Sequence, residues 1–350
     1  MEPLPTETRE WRVPKCTGID ALTMAEVPIP IPGPNEVLVK VHAVSLNYRD
    51  IMIVSAQYPG GAKDNVIPGS DAACEVVAVP PDEEKWKIGE RVMANFCLTF
   101  LEGEINPEVI KGCLGSERDG VLTEYRVFPS EVLVRIPDHL TYEQASALPC
   151  VGVTAWNALQ GPVPVKKGDT VLIQGTGGIS ILSMQIAHAL SATTIITSSS
   201  NTKLARAKAL GVDYTINYKE TPDWELEVLK ITEHKGVDHV IEVGGVSTIL
   251  KSIASTRMGG SIHSIGFVAG FDDGGVKPLQ ITQNVLGKAL NLRGVLIGSL
   301  AQFETLIQFI AEKKIVPAID DTIFKFTEVK EAYAYVASQR HFGKVVVRCS

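Results

Sequence analysis

The stretch VLIQGTGGISILSMQIAHAL, Val171 to Leu190, decides the fold. A short apolar run of strand length leads into a glycine-rich turn, and the turn into an apolar helical run. That order is the first strand–turn–helix unit of a dinucleotide-binding sheet. The spacing is Gly175-x-Gly177-x-x-Ser180, with serine where a third glycine is expected. Gly175 permits the tight turn, and Gly177 lets the backbone approach a pyrophosphate. The pyrophosphate then sits at the helix N-terminus, where unpaired N–H groups and the helix dipole favour an anion. The third glycine serves helix–strand packing, and serine adds only a hydroxymethyl group, so Ser180 is tolerable there. Gly175, Thr176, Gly177, Gly178 and Ile179 are therefore candidate cofactor contacts.

Downstream, the alternation continues. TTIITSS leads to NTKLARAKAL, YTINY to WELEVLKITEH, and VDHVIEVGG to VSTILKSIAS; GGSIHSIGF and LRGVLIGS complete the series. Strands alternating with helices predict an α/β chain with a Rossmann doubly wound parallel sheet. Upstream, the runs are short and β-like, as in EVLVKVHAVSL, ACEVVAVPP and TEYRVFPSEVLVRIP, and Gly and Pro separate them. They predict a compact β-rich domain. The chain returns to mixed elements after QFETLIQFIAEKK and ends in the strand-like GKVVVRC. The expected division is residues 1–150 with 317–350 in one domain and 151–316 in the other. A length of 350 residues suits two domains.

Composition excludes several classes of partner. Charged residues make up 21% and the formal net charge is -7, with no run of three basic residues. Neither nucleic acid nor an anionic membrane is expected to bind. No apolar run approaches the ~20 residues of a membrane span, and the start of the chain has no apolar signal core. A cytoplasmic protein acting on a small molecule is expected. The six cysteines are scattered without a CxxC, so thiols are expected for most of them.

Cofactor choice is read after the second strand. An NAD site places an acid about 20 residues past the glycine loop, where it accepts from the ribose 2′-OH. Here Ser198, Ser199 and Ser200 fill that zone. Lys203, the hydroxyls and Tyr218 could bind a 2′-phosphate, although the serines could equally cap the next helix. Absence of the acid favours NADPH.

The chain resembles the medium-chain dehydrogenase/reductase superfamily nearly end to end, through NYRD, IPGSD, IGERV, DGVLTEY, LPCVGVTAW, KKGDTVLIQGTGGIS, GVDHVIEVGG and FGKVVV. The resemblance implies a GroES-like catalytic domain around the Rossmann domain, an active site in the cleft between them, and a homodimer joined through LRGVLIGS. It further implies that Thr154 meets the nicotinamide end and that Gly244 and Gly245 pass beneath the adenine. Phe267 would line the cofactor cleft, Leu296, Ile297, Gly298 and Ser299 would approach the carboxamide, and Lys344 could reach the cofactor or lie in solvent.

Departures from the family sharpen the reading. Its zinc alcohol dehydrogenases hold a catalytic metal with Cys, His and Cys. By motif these positions are Asn47, Ser70 and Cys150 here. One such ligand does not make a zinc site, and the lobe of the structural zinc offers only Cys97 and Cys113. No metal is expected. The sequence resembles the zinc-free quinone oxidoreductase and enoyl reductase branches, which implies hydride addition to an activated C=C. Asn47 would then sit against the nicotinamide ribose or the substrate carbonyl. Tyr58, eleven residues on, is the candidate proton donor, with Tyr48 as a second and Asp50 orienting donors. A zinc-free reductase of simple carbonyls and a non-catalytic NADPH-binding protein remain open. The pocket-shaping segments, Phe96 to Gly120 and Phe267 to Gly275, carry no readable motif.

Overall fold

The structure is a computed structural model that describes residues 4–270 and 275–349. Residues 271–274, within the segment expected to shape the pocket, lie outside it. The described chain forms two compact units: residues 1–153 with 298–350, and residues 154–297.

The first unit opens with an antiparallel pair, β1 (Glu7–Arg12) and β2 (Thr23–Pro28). The strands β3 (Glu36–Leu46), β4 (Asp71–Ala78), β5 (Arg91–Ala94), β6 (Tyr125–Pro129) and β7 (Leu133–Arg135) follow. Val37, Val39 and Val41 in the EVLVKV alternation of β3 join its apolar core with Phe128, Leu133 and Tyr333. β3 pairs antiparallel with both β4 and β6.

In the second unit, β8 (Thr170–Gln174), β9 (Thr193–Ser198), β10 (Tyr214–Asn217), β11 (Val237–Glu242), β12 (Thr256–Ser264) and β13 (Asn291–Gly294) form one sheet. The order is β10-β9-β8-β11-β12-β13 and every pair is parallel. This is the doubly wound arrangement, in which the winding reverses between β8 and β11. β11 is buried along its whole length, as a central parallel strand must be.

The chain then returns to the first unit through β14 (Ile319–Lys325) and β15 (Lys344–Arg348). β15 pairs antiparallel with the end of β3, Val345 opposite Leu46. The helix Leu300–Lys313 belongs with this unit, so the crossover falls before it, ahead of the boundary expected at residue 317. Its first N–H groups explain why: those of Leu300 and Ala301 donate to the carbonyls of Phe100 and Leu101.

Cys97 and Cys113 form a disulfide, while Cys16, Cys74, Cys150 and Cys349 are outside it, in keeping with thiols for most of the six. Among the described residues no helix is long and apolar enough to cross a membrane.

β11 and β12 also carry a buried imidazole pair. His239 and His263 stack, and Nδ1 of His239 lies 3.2 Å from Nε2 of His263. Burial pushes His263 down to about 3, with His239 and Arg293 adding to the effect. A depressed native value means that folding opposes protonation. The stability His263 contributes is complete above its unfolded value, about 6.5, and is lost as pH falls toward 3. His263→Gln should therefore flatten the acid limb of the stability curve. We expect melting temperatures of wild type and variant to converge or cross between pH 7 and pH 4; parallel curves would contradict this.

Candidate active site

In the second unit the glycine turn forms as expected. Gly175 has φ +74°, a left-handed conformation that a side chain resists. Gly177 precedes the helix Gly178–Ala189, and no side chain caps that end. Its first N–H groups are thus left to an anion, which fits a dinucleotide pyrophosphate. Ser180 does more than tolerate the third-glycine position. Its hydroxyl, buried, donates to the Gln174 carbonyl at 2.6 Å and ties the helix to the end of β8.

The serine zone is partly spent on local structure. Ser200 accepts from the Lys203 N–H at 3.4 Å and caps the helix Asn201–Ala209. The Ser198 hydroxyl is buried and accepts from the Ser200 N–H. Ser199 is half-buried and Tyr218 exposed. An acid that the spacing argument missed stands close by. Glu220 accepts from Asn201 at 2.6 Å and from Asn217 at 3.0 Å. It lies past β10, outside the interval where the ribose acid is sought.

Beneath the turn after β11 lies a second feature that spacing did not reveal. Glu242, fully buried, accepts from the N–H groups of Gly244 (2.8 Å) and Gly245 (3.0 Å). Thr248, Gln174 and Ser252 also donate to it. The glycines are needed for close approach. A Cβ on Gly244 would come within 2.3 Å of Thr248 Oγ1, and one on Gly245, at φ +93°, within 2.9 Å of Phe267 Cβ. A cavity of about 540 Å³ opens at the C-terminal ends of β11, β12 and β13, lined by Glu242, Gly245, Ser264, Phe267, Leu292 and Gly294. Ligands of open parallel sheets bind at such ends. Thr154 is buried in the first turn of its helix, Leu296 is exposed, and the Ile297 carbonyl accepts from Asn157 at 2.6 Å.

In the first unit, the positions aligned with zinc ligands hold a closed polar network. Asn47 Nδ2 donates to Asp71 Oδ2 (3.0 Å) and Ser70 Oγ (3.3 Å), and the Ser70 hydroxyl donates to Asp71 Oδ1 (2.7 Å). Lys344, at the start of β15, is 3% exposed rather than in solvent. Its ammonium donates to Asn47 Oδ1 (2.6 Å), the Leu46 carbonyl (2.9 Å) and Asp71 Oδ2 (3.3 Å). Cys150 belongs to the same unit, and burial pushes its thiol up, with Asp71 adding to the rise. Neutral amide and hydroxyl donors beside an ammonium do not suit zinc, which wants thiolate, imidazole or carboxylate. Among the described residues no group of three or more His, Cys, Asp or Glu is placed to hold a metal ion.

Asn47 also opens the helix Tyr48–Val54: its N–H donates to Asp50 Oδ2 at 2.8 Å. Asp50 is buried, and burial raises it to about 6, opposed by Arg49. That suits a cap that orients the helix start. Arg49 lies over the rings of Tyr58 and Phe96, 4.9 Å from each centroid, while donating to the Leu114 carbonyl and the Ser116 hydroxyl. Tyr48 and Tyr58 are both half-buried. Gly298 is crowded, since a Cβ there would lie 2.4 Å from Val153 Cγ1. The Ser299 hydroxyl caps the helix Leu300–Lys313.

With this geometry in place, the comparisons decide the family. An alcohol dehydrogenase GroES-like domain model matches residues 33–138, and a zinc-binding dehydrogenase model matches residues 178–312. A zinc-type alcohol dehydrogenase-like protein of Schizosaccharomyces pombe is 42% identical over 338 residues, 95% of this chain and 97% of that one.

The chain belongs to the medium-chain dehydrogenase/reductase superfamily.

It is also similar to a crystal structure of an NAD-dependent alcohol dehydrogenase. That match has 30% identity and a TM-score of 0.87, and covers 98% of this chain and all of the other. A Schizosaccharomyces pombe protein named Probable quinone oxidoreductase is 28% identical over 97% of this chain and 96% of its own. An oxidoreductase of this superfamily, with a GroES-like unit and a Rossmann unit, is thereby established.

The Gly245 geometry yields a direct check. Gly245→Ala adds a methyl group in a left-handed conformation and against Phe267, so it should cost about 1–3 kcal/mol. Thermal melting should fall by several degrees; an unchanged melt would contradict the close approach.

Proposed function

We propose that this oxidoreductase is zinc-independent, uses NADPH, and reduces the activated C=C of an α,β-unsaturated carbonyl or a quinone. The observation that carries this reading is that Asn47 and Ser70, at the positions of two zinc ligands in the superfamily's zinc enzymes, are neither thiolate nor imidazole and are closed into a hydrogen-bond network with Asp71 and Lys344. Without a Lewis acid, the favoured chemistry is one in which the substrate's own conjugation stabilises developing charge. Bound NADPH supplies a hydride. This chain's own residues would then have to orient the unsaturated carbonyl and deliver a proton, to the α-carbon of an enone or to an oxygen of a quinone.

The first unit offers Tyr58 for that proton. Its half-buried ring is held by the Arg49 guanidinium, which keeps the phenol in place. Asn47 acts through the framework, because both of its Nδ2 hydrogens and its Oδ1 are occupied inside the network. With the Ser198 hydroxyl buried, the half-buried Ser199, Lys203 and Tyr218 are the groups that favour a 2′-phosphate, and no acid ends β9. We also propose a homodimer through β13, one of the two edge strands of the sheet, where Leu292 is exposed.

Purified protein should oxidise NADPH with 2-enones, 2-enals, enoyl thioesters or quinones, giving the saturated carbonyl or the hydroquinone. Tyr58→Phe should lower kcat by about 100-fold or more; unchanged turnover would remove Tyr58 from the chemistry. kcat/KM should be higher with NADPH than with NADH, and the reverse would overturn the cofactor assignment. Light scattering should give a dimer, and a monomer at micromolar concentration would contradict the edge-strand contact.

A second reading draws on the alcohol dehydrogenases among the similar proteins, one of them NAD-dependent. It is a zinc-free reduction of a simple carbonyl with Tyr48 or Tyr58 as donor. A product that keeps its C=C and gains a hydroxyl would decide for it.

A further inference from the structure

Arg49 is gripped by a segment that folds back on itself. Its guanidinium lies 4.9 Å from the Phe96 ring centroid, Nη1 donates to the Leu114 carbonyl at 3.0 Å, and Nη2 donates to the Ser116 hydroxyl at 2.7 Å. Phe96 precedes Cys97, and Leu114 follows Cys113. The disulfide between those cysteines therefore closes directly beside the residues that hold Arg49. We propose that the Cys97–Cys113 disulfide is a dithiol-sensitive staple: closed, it holds Arg49 over Tyr58, and its reduction releases Arg49 and lowers turnover. The part of Tyr58 in turnover rests on the reduction proposed above; the staple rests on the geometry of the first unit alone.

The lobe between the two cysteines runs out into solvent. Residues 102–108 are exposed, and the helix Pro107–Lys111 buries only Val109. The two legs of the lobe meet at the bridge. The Leu98 N–H donates to the Gly112 carbonyl and the Leu114 N–H to the Phe96 carbonyl, both at 3.0 Å. The legs are so close that a Cβ on Gly112 would come within 2.1 Å of Thr99 Oγ1. The outgoing leg has anchors of its own. Buried Asn95 donates through Nδ2 to the Cys97 and Phe100 carbonyls, and the Leu300 and Ala301 N–H groups donate to Phe100 and Leu101. The return leg carries Leu114 and Ser116, and the Ser116 hydroxyl also donates to the Cys113 carbonyl at 3.3 Å. The covalent bridge thus ties the leg that holds the Arg49 acceptors to the leg that is anchored. Cys97 and Cys113 are positioning residues that act on Tyr58 through Arg49.

Cys97 is fully buried and Cys113 only 5% exposed, so a reductant reaches the bridge when the lobe opens. One thiolate of a dithiol attacks a bridge sulfur, the S–S bond breaks, and the released cysteine thiolate takes a proton. The second thiol of the reductant then displaces the mixed disulfide. The reductant leaves as its own disulfide, and the chain keeps two thiols.

The test treats the full chain with dithiothreitol and counts thiols on the same samples. Accessible and buried thiols, counted after denaturation, should rise from four to six per chain. Hydrogen-exchange mass spectrometry should show faster exchange in peptides covering residues 96–116 and 48–58 of the reduced protein, with the parallel sheet unchanged. kcat for NADPH oxidation with an enone or quinone should fall at least about fivefold, and KM for NADPH should move less than about twofold. Cys97→Ser/Cys113→Ser should show the reduced value and ignore dithiothreitol. Arg49→Met should lower kcat as well, and reduction of that variant should lower it less than about twofold further, because both changes act through one contact.

A bridge that dithiothreitol leaves intact in the folded protein, unchanged exchange over residues 96–116 after two thiols appear, or a full further loss of kcat in reduced Arg49→Met would each overturn the staple. The chemically reduced wild type keeps it falsifiable if the serine variant fails to fold. Absent turnover in the oxidised wild type would overturn the proposed reduction instead, and the thiol count and exchange pattern would still decide whether the bridge holds the lobe.

Discussion

A carboxylate shut away from water must be neutralised, and in this protein the residue that meets Asp71 lies 273 positions along the chain. The bond from Lys344 to Asp71 and Asn47 joins the start of the final strand to the end of β3 and the start of β4. Such a pair adds little net stability compared with an apolar substitute, yet breaking it on one side is costly. The first unit is thereby committed to one arrangement at the point where Asn47 turns strand into helix. The orientation of Tyr48 and Arg49 follows from that turn, and Tyr58 follows from Arg49.

The second unit has its own buried carboxylate, solved differently. Glu242 is surrounded by donors: two glycine N–H groups, two hydroxyls and an amide. Those bonds draw the backbone of Gly244 and Gly245 down against the ends of β8 and β11, the place where the winding of the sheet reverses. One carboxylate is matched by an ammonium and fixes Asn47; the other is matched by hydrogen bonds and shapes a turn next to a cavity. Both are rigid elements on which a site can be built with little motion.

Much of this was legible in the sequence, for definite reasons. The parallel sheet was readable because buried strands such as VDHVIE are continuous apolar runs of the right length, broken by glycine turns. The glycine loop was readable because its conformational demand is local, a positive φ at Gly175. The substitutions at Asn47 and Ser70 were readable by motif. What escaped was non-local. Lys344 in FGKVVV looks like a strand-end lysine bound for solvent or cofactor until β15 is laid against β3. The Cys97–Cys113 bridge needs two loop segments brought together. Ser198 stands where a ligand contact is expected, whereas its hydroxyl serves the backbone, and Ser200 takes the capping role that the sequence also allows. The domain boundary slipped because the helix Leu300–Lys313 looks like another unit of the alternating series, and only its bonds to Phe100 and Leu101 assign it elsewhere.

The proposed reduction needs no metal, since Asn47 and Ser70 offer neither thiolate nor imidazole where the superfamily's zinc enzymes hold one. The most direct measurement is NADPH oxidation with an enone or quinone before and after exhaustive treatment with a zinc chelator, with bound zinc assayed on the same samples. The account predicts equal turnover and negligible zinc in both. Activity that disappears on chelation and returns on adding zinc would contradict it.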